Sequence, residues 1–239
     1  KRLDRRLNRR ILSNVLDNNG KRREKLLTNR LAYAYELAGA LDYLHQHGWI
    51  YRDLKPENIG FDIRNDIKLF DFGLCRRMPN STDKEDEGQS EDLKELFFMS
   101  GNIGTPKYMA PEVCLHKPYN TQADVYSFAM VLWEILSLQQ VFKGLHPRLY
   151  RRFVVHGDER PNMDPSWPEE IQCLLQQAWD SDPCQRPTMS DIRQVLLQVV
   201  KQRECKRISS TAAAASRRRS THVLKLGSSL SLSSALLNA

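Results

Sequence analysis

Apolar residues between positions 122 and 138 fall on nearly every face of a helix, which predicts a helix that is buried all round. Such a helix needs neighbours on all sides, so we expect a mainly helical assembly with this helix at its centre. The longest nearly apolar run in the whole chain, residues 128–138, is 11 residues long and is interrupted by Glu134 and Ser137. A bilayer span takes roughly 20 apolar residues, so the sequence predicts no transmembrane helix.

Amphipathic spacing elsewhere predicts the helices that surround this centre. Apolar residues three and four apart predict a surface helix over residues 3–16. A second helix is expected to start at a Thr28 cap and to stop at Gly48. Residues 169–179 and 189–201 have the pattern of outer helices.

Two short segments, residues 58–62 and 67–71, instead alternate between apolar and polar positions. They are joined across the turn-forming residues 64–66, so we predict a short hairpin. Residues 83–95 hold seven acidic residues against two lysines and predict a long mobile loop. After Cys205 the composition shifts to Ser, Ala and Arg, which predicts a disordered tail.

The net charge of +7 is distributed unevenly along the chain. Residues 1–30 carry +8 and residues 201–239 carry +7, whereas residues 31–200 carry −8. Basic ends could contact nucleic acid, an anionic membrane or an acidic partner. Because no aromatic residues are interleaved with these charges, solvated termini are favoured and nucleic acid is not the expected partner.

The five cysteines are scattered and show no pairing pattern. An odd number without CxxC spacing is typical of reduced thiols, which favours a cytoplasmic or nuclear protein. The chain opens at Lys1 with no Met and no apolar leader, so we expect no signal peptide and a fragment of a longer protein.

Three short motifs follow one another in a fixed order: Tyr51-Arg52-Asp53-Leu54-Lys55-Pro56-Glu57-Asn58, Asp71-Phe72-Gly73 and Ala110-Pro111-Glu112. Together they resemble the catalytic half of the eukaryotic protein kinases. The resemblance covers roughly 200 of the 239 residues and includes Asp124 at the start of the apolar helix and the run 179–187. It implies the fold of a kinase C-terminal lobe, a helical bundle around a buried central helix with short hairpins at the catalytic loop.

The resemblance also implies a domain organisation. Residues 1–205 would form the C-lobe portion of a kinase domain, with an activation segment over 71–112, and residues 206–239 would form the basic, Ser-rich tail. No G-x-G-x-x-G motif and no strand with a V-A-I-K-like lysine occurs in the sequence. We therefore expect the N-terminal lobe to be absent and the isolated fragment to be inactive.

The residues of these motifs acquire chemical roles through the resemblance. Phosphoryl transfer from ATP depends mainly on positioning and charge neutralisation. Asp53 would accept or orient the proton of the attacking hydroxyl, and Lys55 would neutralise charge on the γ-phosphate. Asn58 and Asp71 would hold Mg²⁺ on the phosphates of ATP. Thr105 would tie the catalytic aspartate and lysine together.

Arg52 is implied to receive a phosphorylated activation segment, although a purely structural ion pair is the alternative. Tyr51 replaces the more usual histidine, and its ring is expected to pack under Phe72, which precedes Gly73. Asp124 is implied to anchor the backbone of the catalytic loop.

Glu112 and Arg186 match a buried ion pair of the family. Both would serve the structure rather than the chemistry.

The phosphate acceptor is also suggested by the resemblance. The loop 53–58 and the segment 104–112 have the serine/threonine form, whereas 124–134 and 179–187 are similar to tyrosine kinases. This mixture resembles the tyrosine-kinase-like Ser/Thr kinases, and the implied partners are protein substrates, ATP and an upstream kinase. A pseudokinase or scaffold without phosphotransfer, and a helical interaction module that uses the basic ends, are the alternatives.

Overall fold

The structure is a computed structural model that describes residues 20–79 and 96–209. The predicted helix over 3–16 and the acidic segment 83–95 lie outside these ranges. The described helices are α1 (Gly20–Gln46), α2 (Pro111–Cys114), α3 (Gln122–Ser137), α4 (Pro147–Tyr150), α5 (Glu169–Ala178) and α6 (189–199). The strands are β1 (Trp49–Ile50), β2 (Ile59–Phe61), β3 (Ile67–Leu69) and β4 (Arg76–Arg77). Short 3₁₀ turns cover Pro56–Asn58 and Pro183–Gln185, and a π-helix covers Arg151–Val155.

Helix α3 forms the centre of the fold, as its apolar pattern predicts. All of its residues except Ser137 are buried, and the helix ends where Leu138 adopts a left-handed conformation with φ +60°. Helices α1 and α5 both pack against it. The prediction of a central buried helix in a mainly helical fold is confirmed.

Helix α1 begins eight residues before the predicted start. Thr28 is not the N-cap, because its hydroxyl lies inside the helix and donates to the Glu24 carbonyl at 3.0 Å. A threonine can satisfy its hydroxyl in this way within a helix, so its presence did not mark a helix end. The predicted stop is confirmed, since the helix ends at Gln46 and Gly48 follows with φ +72°.

Two antiparallel ribbons hold two loop segments, residues 51–58 and 70–75, close together. Strands β2 and β3 form the predicted hairpin, with Gly60 opposite Lys68. A second ribbon, which the sequence pattern did not predict, pairs β1 with β4 and sets Ile50 opposite Arg76. Because β1 leads into residues 51–58 and β3 leads into residues 70–75, the two ribbons bring these two segments side by side.

The chain divides into two compact units, Lys1–Val199 and Val200–Ala239. In the first unit, Arg193 of α6 contacts Asp42 of α1 at 3.7 Å and stacks on the ring of Tyr35. In the second unit, residues 200–209 are helical. Residues 206–209, which were predicted to belong to the disordered tail, are therefore helical, and the rest of that tail lies outside the described residues.

Within the described ranges, no helix has both the length and the hydropathy that a membrane crossing requires.

Candidate active site

Asp53 lies at the centre of a hydrogen-bond network that joins two distant segments of the chain. Lys55 Nζ donates to Asp53 Oδ2 at 2.6 Å, and Thr105 Oγ1 donates to Asp53 Oδ1 at 3.0 Å. Lys55 Nζ also donates to Thr105 Oγ1 at 3.0 Å, which closes a triangle of three side chains. The carboxylate is buried, yet Lys55 remains partly exposed, so the triangle borders solvent on one side.

Asn58 completes this network by donating to Asp53. Its Nδ2 donates to the Asp53 carbonyl and to Asp53 Oδ2, both at 3.0 Å. The 3₁₀ turn Pro56–Asn58 lets the side chain at position 58 reach back to position 53. Both carboxylate oxygens of Asp53 are thus fixed in orientation by neighbouring donors.

Asp71 lies at the same end of the β2–β3 hairpin as Asn58. The Phe70 amide donates to the Asn58 carbonyl at 2.9 Å, so the residue after Phe70 is adjacent to Asn58 across the ribbon. Asp71 is exposed, has φ +58°, and accepts a hydrogen bond from the Gly73 amide at 3.3 Å. A carboxylate and an amide oxygen are hard donors that suit Mg²⁺ when substrate phosphates supply further ligands. The donor set therefore fits the metal that the motifs imply.

Asp124 fixes the backbone of residues 51–58, which the motifs suggest as the catalytic loop. Its carboxylate is fully buried and accepts the amides of Tyr51 at 2.7 Å and Arg52 at 2.8 Å. Arg52 has φ +69°, a left-handed conformation that costs a non-glycine residue roughly 1 kcal/mol or more. The two hydrogen bonds to Asp124 hold the loop in this unfavourable conformation. His45, at the end of α1, donates from Nε2 to the same carboxylate at 2.9 Å.

Tyr51 links the catalytic loop to the segment around Asp71. Its hydroxyl donates to the Phe70 carbonyl, and its ring meets the ring of Phe72 edge-on with a centroid separation of 5.6 Å. Burial and the nearby Asp53 carboxylate raise the pKa of Tyr51, so the phenol stays protonated and continues to donate. Gly73 follows in an exposed turn.

Gly104 allows the segment that carries Thr105 to approach the catalytic loop. It has φ +106°, and a Cβ at this position would lie 2.5 Å from the Arg52 carbonyl oxygen. Any side chain would clash with this backbone atom and would also be strained. The contact of Thr105 with Asp53 therefore depends on a glycine at position 104.

Arg52 extends toward the segment before Gly104. Its Nε donates to the Leu74 carbonyl at 2.7 Å, and its Nη1 donates to the Tyr119 hydroxyl at 3.3 Å. That hydroxyl donates in turn to the Ser100 carbonyl at 2.8 Å. Ser100 is therefore linked to the Arg52 guanidinium through a single tyrosine.

Glu112 and Arg186 form a buried bidentate ion pair away from Asp53. The two hydrogen bonds measure 2.7 and 2.8 Å, and Arg186 also donates to the carbonyls of Gln122 and Asp180. The pair joins α2 to the turn before α6 and to the start of α3. It touches no residue of the Asp53 network.

Sequence reasoning did not assign a role to Glu134, a buried carboxylate in the middle of α3. Its Oε1 accepts the Tyr108 hydroxyl at 2.9 Å and the Val141 amide at 2.6 Å. Burial, reinforced by the charge of Glu57, raises the pKa of Glu134 to about 7, although the two donors oppose this shift. A carboxylate inside an otherwise apolar helix requires hydrogen-bond partners, so the position of Glu134 in the apolar run was the sequence signal for such a contact.

His45 was also missed as a contact of Asp124. The sequence places it in the last turn of the predicted helix, but its partner lies 79 residues away. No local pattern connects the two.

The chain belongs to the protein kinase family, because the family model described as the protein kinase domain matches residues 6–197. Its relatives are of the tyrosine-kinase-like type. It is 33% identical over 172 residues to Serine/threonine-protein kinase STY17 of Arabidopsis thaliana, with 72% of this chain and 28% of that protein covered. It is 31% identical over 199 residues to Serine/threonine-protein kinase CTR1 of the same organism, with 82% and 22% covered.

A third relative carries a broader name. Serine/threonine/tyrosine-protein kinase HT1 of Arabidopsis thaliana is 34% identical over 166 residues, with 70% of this chain and 39% of that protein covered. The chain thus spans between about a fifth and two fifths of the length of these three curated relatives.

Proposed function

We propose that this chain supplies the catalytic half of a protein serine/threonine kinase that transfers the γ-phosphate of ATP to hydroxyl groups of proteins. The observation that carries the proposal is the triangle of Asp53, Lys55 and Thr105. It places a carboxylate, an ammonium group and a hydroxyl within 3.0 Å of one another at a surface open to solvent.

Asp53 would orient the substrate hydroxyl and accept its proton as the oxygen attacks phosphorus. Lys55 uses two of its three N–H groups on Asp53 and Thr105 among the described residues, and the third would contact the phosphoryl oxygens. Thr105 and Asn58 would keep the carboxylate in one rotamer, so that little reorganisation is needed during the transfer.

Asn58 and Asp71 would hold Mg²⁺, and Lys55 would contact the nucleotide from the same side. The metal, when bound, neutralises charge on the ATP phosphates. Asp71 is exposed and has no ion pair within the described residues, which leaves its carboxylate open to a cation.

A serine or threonine acceptor is favoured by Lys55 and Thr105 together, because the pair resembles the Ser/Thr form of the family. The name of one relative includes tyrosine, so experiment must decide between a Ser/Thr hydroxyl and a Tyr hydroxyl as the phosphate acceptor. An intracellular location, cytoplasmic or nuclear, is part of the same proposal and is supported by five free thiols.

We further propose that phosphate on Ser100 orders the activation segment through Arg52. The support is the hydrogen-bonded path from Arg52 through Tyr119 to Ser100. Arg52 has no carboxylate partner within the described residues, so its charge is available to an anion. Mass spectrometry of active protein should find phosphate on Ser100, and its absence throughout residues 81–100 would contradict this role.

The 239 residues contain no Gly-rich loop, so we propose that they do not transfer phosphate by themselves. A nucleotide held on one face would be poorly oriented, and orientation is worth roughly 7 to 11 kcal/mol in well-positioned reactions. Titration of Mg·ATP into the chain, with a parallel radiolabel assay, should show weak binding and no transfer. Sub-millimolar binding together with transfer would overturn this part of the proposal.

The central test is Asp53→Asn in the full-length gene product that contains these residues. Loss of the proton acceptor should lower kcat by about 10² or more. Gln122→Asn, which shortens a buried amide side chain outside the Asp53 network, serves as the control for altered folding. Unchanged turnover in correctly folded Asp53→Asn protein would reject the catalytic role, and absence of turnover in the unsubstituted protein would favour a scaffold without phosphotransfer.

A further inference from the structure

A concentrated patch of positive charge lies on a body that is otherwise acidic, between the central helix α3 and helix α5 in the sequence. Between Glu134 and Asp158 the sequence has no acidic residue and four basic ones, whereas residues 31–200 as a whole carry −8. Three of the four, Arg148, Arg151 and Arg152, follow one another at helical spacing on α4 and the π-helix, and all three are exposed. We call these three residues the arginine surface.

The guanidinium groups of the arginine surface have no partner among the described residues. None of them forms an ion pair or a hydrogen bond there, and Arg152 only lies over the ring of its neighbour Phe153, 5.5 Å from the centroid. Other arginines of the fold have carboxylate partners: Arg160 with Asp158, Arg186 with Glu112, and Arg193 with Asp42. Arg76 and Arg77 on β4 are likewise exposed and have no ion pair among the described residues, but the arginine surface brings three such groups together within five residues.

The backbone beneath the arginine surface has an uncommon conformation. Residues Arg151–Val155 form a π-helix, closed by a 3.1 Å hydrogen bond from the His156 amide to the Arg151 carbonyl. π-Helical turns are rare in proteins, and those that occur are often found at functional sites. Tyr150 and Val154 are buried on the inner side, so the same turn directs the arginines outward.

The arginine surface is fixed to the segment that leads from Thr105. The Tyr150 hydroxyl donates to the Met109 carbonyl at 3.3 Å, four residues beyond Thr105. Arg151 lies close enough to Cys114 to oppose the rise in its pKa that burial causes. The arginine surface is therefore held at the far end of the segment whose other end contacts Asp53.

We propose that the arginine surface binds an acidic segment of the protein substrate, away from the residue that is phosphorylated. This inference rests on the proposed function, since it extends the site around Asp53. Exposed guanidinium groups bind carboxylates through paired hydrogen bonds, and three of them within five residues match a run of Asp or Glu. Leu149, which is 41% exposed between them, adds an apolar contact. The acidic body disfavours an extended nucleic acid, whose phosphates would meet repulsion beyond the patch.

The test is fluorescence anisotropy with the 239-residue chain and a labelled Ser-containing peptide that carries four Glu residues, with a matched peptide in which Gln replaces each Glu. The Glu peptide should bind at least about tenfold more tightly at low salt. The triple variant Arg148→Gln, Arg151→Gln and Arg152→Gln should lose most of this preference. The double variant Arg76→Gln and Arg77→Gln, on the exposed strand β4, is the control for loss of positive charge outside the arginine surface and should change affinity by less than about twofold.

Three outcomes would overturn the proposal. They are equal binding of the two peptides, equal loss in the two arginine variants, and stronger binding of a single-stranded RNA oligomer than of the Glu peptide. Arg151→Lys keeps the charge but has fewer N–H donors, so it should give an intermediate affinity. It also provides a second measurement in case the triple variant misfolds. Peptide binding is measured without turnover, and turnover of the Asp53→Asn protein is a separate measurement, so failure of the catalytic proposal and failure of this one are distinguishable.

Discussion

Two ion pairs of nearly equal length lie in very different surroundings in this protein. Lys55 contacts Asp53 at 2.6 Å, and Arg186 contacts Glu112 at 2.7 Å. The Lys55 side chain is 22% exposed, whereas the Arg186 side chain is fully buried. Length alone therefore does not distinguish the pair that we propose to serve chemistry from the pair that holds the fold.

The difference lies in how completely each cation is satisfied. Arg186 donates to both oxygens of Glu112 and to two backbone carbonyls, and it stacks on the Tyr126 ring. These contacts use four of its five N–H groups, and the fully buried side chain is out of reach of a ligand from solvent. Lys55 keeps a third donor and a solvent-facing side, so it can exchange contacts during a reaction while Thr105 and Asn58 still hold Asp53.

The same substitution in the two pairs should separate these roles, and the larger effect is expected in the buried pair. Arg186→Met leaves the Glu112 carboxylate buried without a cation, which should cost about 3 to 5 kcal/mol of unfolding free energy. Urea unfolding of the 239-residue chain measures this loss. Arg186→Met combined with Glu112→Leu should recover part of it, and a single variant as stable as the parent chain would contradict the comparison.

Lys55→Met should have the opposite profile. Stability should fall by less than about 1 kcal/mol, because Asp53 keeps two other donors and the pair borders solvent. Turnover of the full-length gene product should fall by about 10², since a cation beside the reacting phosphoryl group is lost. A large loss of stability with unchanged turnover would show that this pair, too, serves the fold.

The sequence predicted the elements that depend on local pattern. The apolar run of α3 and the alternation of β2 and β3 both have a regular period, and both were found at the expected place. The ribbon of β1 and β4 was missed because two residues on each strand are too few to show a period. The predicted start of α1 was wrong because a threonine can either cap a helix or donate a hydrogen bond within one.

Contacts between distant residues were beyond the pattern alone. The motifs singled out Asp53 and Thr105, which lie 52 positions apart and are in contact. Nothing local indicated that Gly104 must pass within reach of the Arg52 carbonyl, or that His45 binds Asp124. These contacts depend on how α1, α3 and the ribbons pack, and a single sequence does not encode that in any short spacing.

Glu134 is a third buried carboxylate that extends the comparison, because it has hydrogen-bond donors but no ion pair among the described residues. Its pKa is raised from 4.5 to about 7, so between these values the folded state binds a proton that the unfolded state releases. Folding stability should therefore fall as the pH rises from about 4.5 to 7 and then level off. Glu134→Gln, which imitates the neutral form, should remove up to about 3 kcal/mol of this fall. Unfolding measured at pH 5 and pH 8 for both proteins gives the difference, and identical pH slopes would contradict the raised pKa.

The smallest expected effect concerns the hydroxyl that ties the open pair together. Thr105→Val keeps the shape of the side chain but removes the donor to Asp53 and the acceptor for Lys55. One positioning hydrogen bond is worth about 0.5 to 1.5 kcal/mol, so kcat of the full-length gene product should fall by up to about tenfold while KM changes little. Thr105→Ser restores the hydroxyl and should recover most of the turnover. Equal turnover in the valine and serine variants would mean that Asn58 and Lys55 alone orient the carboxylate, and that the segment after Gly104 contributes shape rather than a hydrogen bond to the site.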